Sequence, residues 1–369
     1  MRNNLLLIAA LSTLSLSLSL PVAAATRAGQ DEPFATTQAA DNEELATMYE
    51  VDQNSRQGEI DWSIVAAEDR KRETRVYEMI EAGDIVTAND HFHAAMILQH
   101  GTDPADYDKA HELSKRAYEM DPELKVAGWL SAATKDRYLL SIGEPQWYGT
   151  QFGGNHGVIV MREVDESKVT DQQRQALGVP TLEQSRTERV DMFNKRREVD
   201  PADNEELEQA FVTFITEMFT PARKPGEDWE LSDVAKQQIK LAEQLMKRSM
   251  LETKGDYAKA ATILHYASSE PEDFQREIDL LEKAREIDPA DKELRRSYAQ
   301  AVDKKRLAEG KGQWYGTSLT NPAATESGQW EFNLDPESTV TDEERAEMGL
   351  MPLEFWEGEV AKRNAELTD

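Results

Sequence analysis

The pentapeptide Gln146-Trp147-Tyr148-Gly149-Thr150 occurs again, unchanged, as Gln313-Trp314-Tyr315-Gly316-Thr317. This constrains the fold strongly, because the text around the two strings matches as well. Ala94-Ala95-Met96-Ile97-Leu98, Met120-Asp121-Pro122 and Asp136 accompany the first string. Ala260-Ala261-Thr262-Ile263-Leu264, Ile287-Asp288-Pro289 and Asp303 accompany the second. Asp61-Trp62 returns as Asp228-Trp229, and Val169-Thr170-Asp171-Gln172-Gln173-Arg174 as Val340-Thr341-Asp342-Glu343-Glu344-Arg345. The register drifts little between the two series, so the expected unit is a domain of roughly 160 residues present twice, not a short solenoid repeat. A chain of 369 residues accommodates two such domains. They are expected at 41–200 and 201–369, with the seam at Arg197-Glu198-Val199-Asp200-Pro201. What both copies keep points to architecture, and what one copy keeps points to a function of that copy.

Residues 1–25 belong to neither copy. Arg2, the apolar and Ser/Thr run Leu5 to Leu20, and Val22-Ala23-Ala24-Ala25 follow the three-part pattern of a secretory signal peptide. Residues 26–40 lack periodicity and are expected to form a disordered leader. No later stretch approaches the ~20 apolar residues that span a bilayer, and the absence of cysteine excludes disulfides and lipoprotein attachment. An exported protein is expected, periplasmic or secreted, with no membrane span after cleavage. Without Arg2 the mature chain carries 41 basic against 71 acidic residues, a net charge of −30. That disfavours nucleic acid and anionic membrane surfaces as partners. Spread over both halves, the acidity suits a solvated surface, with a cationic partner or a saline habitat as the alternative.

Helix signals dominate from Asp41 onward. Helices are expected over Thr47–Gln57, Ile64–Ile80, Ala88–His100, from Pro104 to Met120, and over Leu124–Ile142. Thr102-Asp103-Pro104 supplies a start signal and Asp121-Pro122 a stop. A short hairpin is expected within Asn155–Met161. Thr170 with Gln173, and Thr341 with Glu344, have capping-box spacing for helices that run to Gly178 and Gly349. The fold class is mainly α. Residues 90–122, ending in Ala117-Tyr118-Glu119-Met120-Asp121-Pro122, resemble a tetratricopeptide hairpin, and Ala284-Arg285-Glu286-Ile287-Asp288-Pro289 repeats that ending. One such unit is legible per copy.

Asp136 lies at helical spacing with Trp129, Ala132, Ala133 and Leu140, on an apolar stripe, as Asp303 does with Ala299 and Leu307. A buried carboxylate needs a partner. Arg56 and Arg223 are the expected ones, giving ion pairs Arg56–Asp136 and Arg223–Asp303. A catalytic acid or base at Asp136 is the alternative. The repeated pentapeptide falls in a loop that is either structural or ligand-binding.

The copies part at other positions. Asp52-Gln53, His100, Arg137 and Gln151 of the first become Phe219-Thr220, Tyr266, Lys304 and Ser318 in the second. Converged, the first set would bind a polar or charged ligand, and His100 would serve as a general base oriented by Asp52 or Asp136. The candidate binding residues are therefore Asp52, Gln53, Arg56, His100, Arg137, Gln146, Tyr148 and Gln151, and the catalytic candidates His100, Asp52 and Asp136. His91 and His93 point about 200° apart on a helix and cannot share an ion, whereas His93 and His100 share a face without a metal-binding framework. No metal and no cofactor are expected. No nucleophile elbow, P-loop or dinucleotide fingerprint is present.

Asp52-Gln53-x-x-Arg56, Gln99-His100, Asp136-Arg137 and Gln146-x-Tyr148-Gly149-Thr150-Gln151 resemble a functionally uncharacterised bacterial domain family marked by Asp-Gln-x-x-Arg and Gln-x-Tyr-Gly-Thr-Gln. The resemblance covers about residues 41–200 and implies a helical domain without naming a reaction. The second copy departs from the pattern at the Asp-Gln pair, the histidine and the final glutamine. The expectation is a binding or interaction protein for an unknown protein or a small polar ligand, with the site in the first copy. A hydrolase-like enzyme using His100 with Asp52 or Asp136, or a tetratricopeptide-like peptide-binding scaffold, are the alternatives.

Overall fold

Capping side chains and runs of small residues decide where the helices begin and how closely they pack. The computed structural model describes residues 39–57, 62–195, 197, 199–224, 230–268, 270–320, 325 and 327–366. The expected signal peptide, nearly all of the leader, and the repeated Asp61 and Asp228-Trp229 lie outside the described residues.

The first half runs α1 (Glu43–Asn54), α2 (Trp62–Ala82), α3 (Ala88–Leu98), α4 (Pro104–Met120) and α5 (Lys125–Ser141). Helix α1 starts earlier than Thr47 because the Asn42 side chain accepts the Leu45 amide at 3.0 Å and opens the helix there. Thr87 and Asp90 close a capping box at the start of α3. Pro104 sits in the first turn of α4, where its missing N–H costs nothing. After α5 come the antiparallel strands β1 (Phe152–Asn155) and β2 (Val158–Met161), with Phe152 opposite Met161. Then follow α6 (Asp171–Ala176), α7 (Leu182–Gln184), a π-helical turn at Ser185–Arg189, and α8 (Val190–Asn194).

The second half repeats the order of the long helices: α9 (Glu205–Phe219), α10 (Asp233–Lys247), α11 (Lys254–Ala267), α12 (Pro271–Ile287) and α13 (Lys292–Ala308). Helices α14 (Asp342–Glu347) and α15 (Leu353–Glu366) close the chain. The fold is mainly α, as expected. Thr170 and Thr341 both form their capping boxes, and Gly178 and Gly349 sit beyond α6 and α14 at φ +75° and +69°.

Two apolar cores form. Leu45, Val76, Met79, Phe92, Ile97, Leu98 and Leu130 fill the first around Ala94 and Ala95. Leu207, Phe211, Phe214, Ile215, Leu245, Ile263 and Leu264 fill the second around Ala260 and Ala261. The alanine pairs let neighbouring helices approach closely at matching points of α3 and α11.

Segments cross between the halves in both directions. Val158 of β2 is buried in the second core. Beside it, the Glu163 amide donates to the Thr220 carbonyl at 2.7 Å, and the Ala222 amide to Glu163 at 3.0 Å. In return, α15 lies on α2. Arg70 donates to the Phe355 carbonyl at 3.0 Å and pairs with Glu359 at 2.8 Å. Lys362 pairs with Glu73 at 2.9 Å and Asp103 at 2.7 Å.

Candidate functional site

The repeated pentapeptide wraps around a buried carboxylate. Asp136 Oδ1 accepts the amides of Trp147 at 2.8 Å and Tyr148 at 2.9 Å. Its Oδ2 accepts the Thr150 amide at 2.9 Å and the Thr150 hydroxyl at 2.7 Å. Asp303 does the same for Trp314, Tyr315 and Thr317, with amide distances of 2.6, 2.8 and 2.9 Å. Burial pushes the Asp136 carboxyl up, while the amides and hydroxyl aimed at it favour the charged form. Four donors converging on two oxygens fit a carboxylate, which is acceptor-only.

This arrangement corrects the expected ion pairs. Arg56 does not reach Asp136; it pairs with Asp52 and Asp69, each at 2.7 Å. Arg223 donates to the backbone carbonyl of Met218, and not to Asp303. Both buried aspartates are satisfied by the backbone of the loop they organise, so neither needs a cation.

The rest of the loop is held by groups that both halves share. Gln146, fully buried, donates to the carbonyls of Gln151 at 3.0 Å and Arg162 at 2.9 Å, and accepts the Gln151 amide at 2.9 Å. Gln313 makes the matching bonds with Ser318 at 2.7 and 2.9 Å. Gly149 and Gly316 take φ +77° and +66°, where a side chain would be strained. Arg174 of α6 donates to the Trp147 and Tyr148 carbonyls at 2.9 and 3.1 Å, and Arg345 of α14 to those of Tyr315 and Gly316. The two arginines close the repeated Val-Thr-Asp string, the one sequence signal that marks them.

The polar residues peculiar to the first half gather beside this loop. Asp52, fully buried on α1, accepts Arg56 at 2.7 Å and Gln53 at 2.8 Å. His100 Nε2 stands 3.6 Å from Asp52 Oδ2, and it has no hydrogen-bond partner among the described residues. Arg137 of α5 donates to the Gln99 carbonyl at 2.7 Å and to Gln151 Oε1 at 3.3 Å. Gln151 in turn donates to the Ala133 carbonyl at 3.2 Å and Thr150 Oγ1 at 3.0 Å. Two contributors went unmarked in the sequence: Asp69 and Arg72 of α2, joined at 2.6 Å, extend the Asp52–Arg56 pair into a network. In the charged text of α2 they look like any solvated face.

Burial pushes the His100 imidazole down, Asp52 pulls it up, and Arg56 and Arg137 push it down again, so it is neutral at neutral pH. Burial raises the Asp52 carboxyl, but His100, Arg56 and Gln53 outweigh that and hold it below the usual range. Arg137 is half-buried, its pKa lowered chiefly by burial, and no carboxylate among the described residues forms an ion pair with it. Tyr107 lies near it with its phenol pushed up by burial. A cationic guanidinium, a neutral imidazole whose Nε2 faces Asp52 at 3.6 Å and an ionised carboxylate thus stand together. Asp136, Gln146 and the Tyr148 backbone are committed to the loop behind them. His93 stacks on Tyr49 at 4.3 Å and His91 meets the Thr87 carbonyl at 2.8 Å, so neither histidine joins His100.

At the matching place in the second half the ionic pair is replaced by rings. Phe219 and Tyr266 meet edge-on at 6.1 Å, where the first half has Asp52 and His100. Lys304 stands where Arg137 stood and contacts His265. Two open depressions of about 370 and 560 Å³ lie elsewhere, along 175–195, lined in part by Gln175, Glu188 and Lys195.

Compared with known proteins, the chain matches no protein-family model, and no curated protein matches it.

Proposed function

We propose that the chain is an exported protein of two tandem helical copies, in which the first copy binds a small polar or charged ligand. The ligand meets Arg137, Gln151 and His100, with Asp52 and Arg56 holding the floor of the site. The observation that carries this is the half-buried Arg137, which among the described residues has no carboxylate partner, beside His100 Nε2, which among them has no hydrogen-bond partner. Buried polar groups are ordinarily satisfied, and a group left unsatisfied costs about 1–3 kcal/mol. A ligand with an acidic or hydrogen-bonding edge offsets that cost. The second copy, with Phe219, Tyr266 and Ser318 at the matching positions, does not bind the same ligand. The resemblance to the uncharacterised bacterial family belongs to the same reading, because the residues that carry it are the ones that converge.

One observation favours a second reading. His100 Nε2 faces Asp52 Oδ2 across 3.6 Å, longer than the ~2.6–3.2 Å of a general base and its orienting carboxylate, a bond that often tightens only when substrate binds. In a hydrolase-like enzyme His100 would take the proton of an attacking water while Asp52 steadied the imidazolium.

The test is a melting-temperature screen with phosphate, small dicarboxylates, amino acids and monosaccharides. Wild type is expected to shift upward with one class, and His100→Ala and Gln151→Ala to lose the shift. A shift retained in both variants contradicts the site.

A further inference from the structure

The second half holds a three-residue chain of contacts that is not matched among the described residues of the first. His265 on α11 meets Glu277 on α12 through Nδ1 at 2.7 Å, and meets Lys304 on α13 through Nε2 at 2.6 Å. Glu277 is 2% exposed and His265 15% in their side chains, while Lys304 is half-buried. The glutamate carboxylate only accepts, so His265 Nδ1 carries a proton toward it. Nε2 and Nζ at this separation then hold one proton between them. Either Lys304 is an ammonium donating to neutral His265, or His265 is an imidazolium paired with Glu277 and Lys304 is a free amine. Among the described residues His265 is the only polar partner of Lys304 Nζ. Ser318, in the place of Gln151, turns instead to Gln313 Oε1 at 3.1 Å.

We propose that Lys304 is a reactive amine that captures a small aldehyde or ketone as an imine, with His265 as its proton carrier and Glu277 as the positioning residue. The ammonium proton passes to His265 Nε2, and the freed lone pair forms the N–C bond while the carbonyl π pair moves to oxygen. His265 returns that proton to the oxygen. A second N–H proton then travels through His265 to the hydroxyl, which leaves as water while the nitrogen lone pair closes the C=N bond. An ammonium and a carbonyl compound become a protonated imine and water, with nothing oxidised or reduced. Burial, against the pull of Glu277, brings the Lys304 amine down to about 8, the kind of lowering that activates lysines for this chemistry. Among the described residues, Tyr266 lies near the relay, its ring 5.3 Å from His265, with Arg223 acting on Tyr266 and Arg162 on Arg223. This inference concerns the second half and stands apart from the ligand site of the first.

Reductive labelling of the full folded chain with glycolaldehyde and cyanoborohydride, mapped by peptide mass, tests it. At pH 7 Lys304 is expected to label about tenfold faster than Lys236, whose side chain is 49% exposed. Its rate should rise with pH to a plateau with a midpoint near 8. His265→Ala should bring Lys304 to the rate of Lys236 or below, and Glu277→Gln should slow it while circular dichroism shows the fold kept. Labelling of wild-type Lys304 no faster than Lys236 overturns the proposal whether or not the variants fold. Fast labelling that survives His265→Ala overturns the relay.

Discussion

At the residue scale, Asp136 decides the local structure. Three amides and one hydroxyl converge on it, all within 2.9 Å. Asp136→Asn keeps the shape but turns one acceptor oxygen into a donor that faces donors. A buried donor left unmade costs about 1–3 kcal/mol, and here at least one amide loses its partner as well. The expected loss is about 3 kcal/mol of unfolding free energy, read from urea denaturation. A variant within 0.5 kcal/mol of wild type would mean that the loop does not depend on the charge. Asp136 stood out in the sequence because a carboxylate on an apolar stripe demands a partner. The partner did not, because backbone amides are present at every position and leave no mark in the text. Arg56, conspicuous and correctly spaced, was drawn instead to Asp52 on its own helix and to Asp69. Asp69 and Arg72 were illegible for the opposite reason: α2 carries so many charges that a half-buried aspartate and a buried arginine do not differ from their neighbours.

At the element scale, caps were the most readable features. Thr170 and Thr341 were expected as capping boxes and form them, since that motif is local and needs nothing from distant chain. The cap at Thr170 matters beyond its helix, because α6 carries Arg174 to the Trp147 and Tyr148 carbonyls. Thr170→Ala is expected to cost about 1 kcal/mol and to raise amide exchange in the 147–150 loop as well as in α6. Exchange that changes in α6 alone would separate the helix from the loop. The β-hairpin was only partly legible. Its β-branched text suggested strands, but what holds it is α9 and the second core, where Val158 is buried, and such contacts are invisible to local pattern.

At the scale of the whole molecule, the two halves clasp each other, the hairpin reaching forward onto α9 and α15 reaching back onto α2. Lys362 is the centre of the backward clasp, with Glu73, Asp103 and Asp106 around it at 2.9, 2.7 and 3.6 Å. Burial and the neighbouring Asp106 push the Glu73 carboxyl up to about 6, even with the lysine in place. A carboxyl raised on folding contributes stability at low pH that is lost as pH rises through its folded value. Lys362→Met removes the cation that pairs directly with Glu73 and Asp103 and raises the Glu73 carboxyl further, so the variant should lose about 2–3 kcal/mol at pH 7. The deficit should narrow as pH falls toward 5, and urea midpoints at the two pH values check it. A deficit that is constant or grows on acidification would show that the clasp does not rest on these charges.

We propose that the halves share an architecture and differ in function, with the ligand site in the first. Arg137 and Lys304 occupy matching positions on α5 and α13, so they give the most direct comparison. The measurement is the ligand-induced melting shift, with the compound class that stabilises wild type, in Arg137→Ala and Lys304→Ala side by side. The shift is expected to vanish in Arg137→Ala and to persist in Lys304→Ala. Persistence in Arg137→Ala, loss in Lys304→Ala alone, or no shift in wild type with any class would contradict a ligand site in the first half.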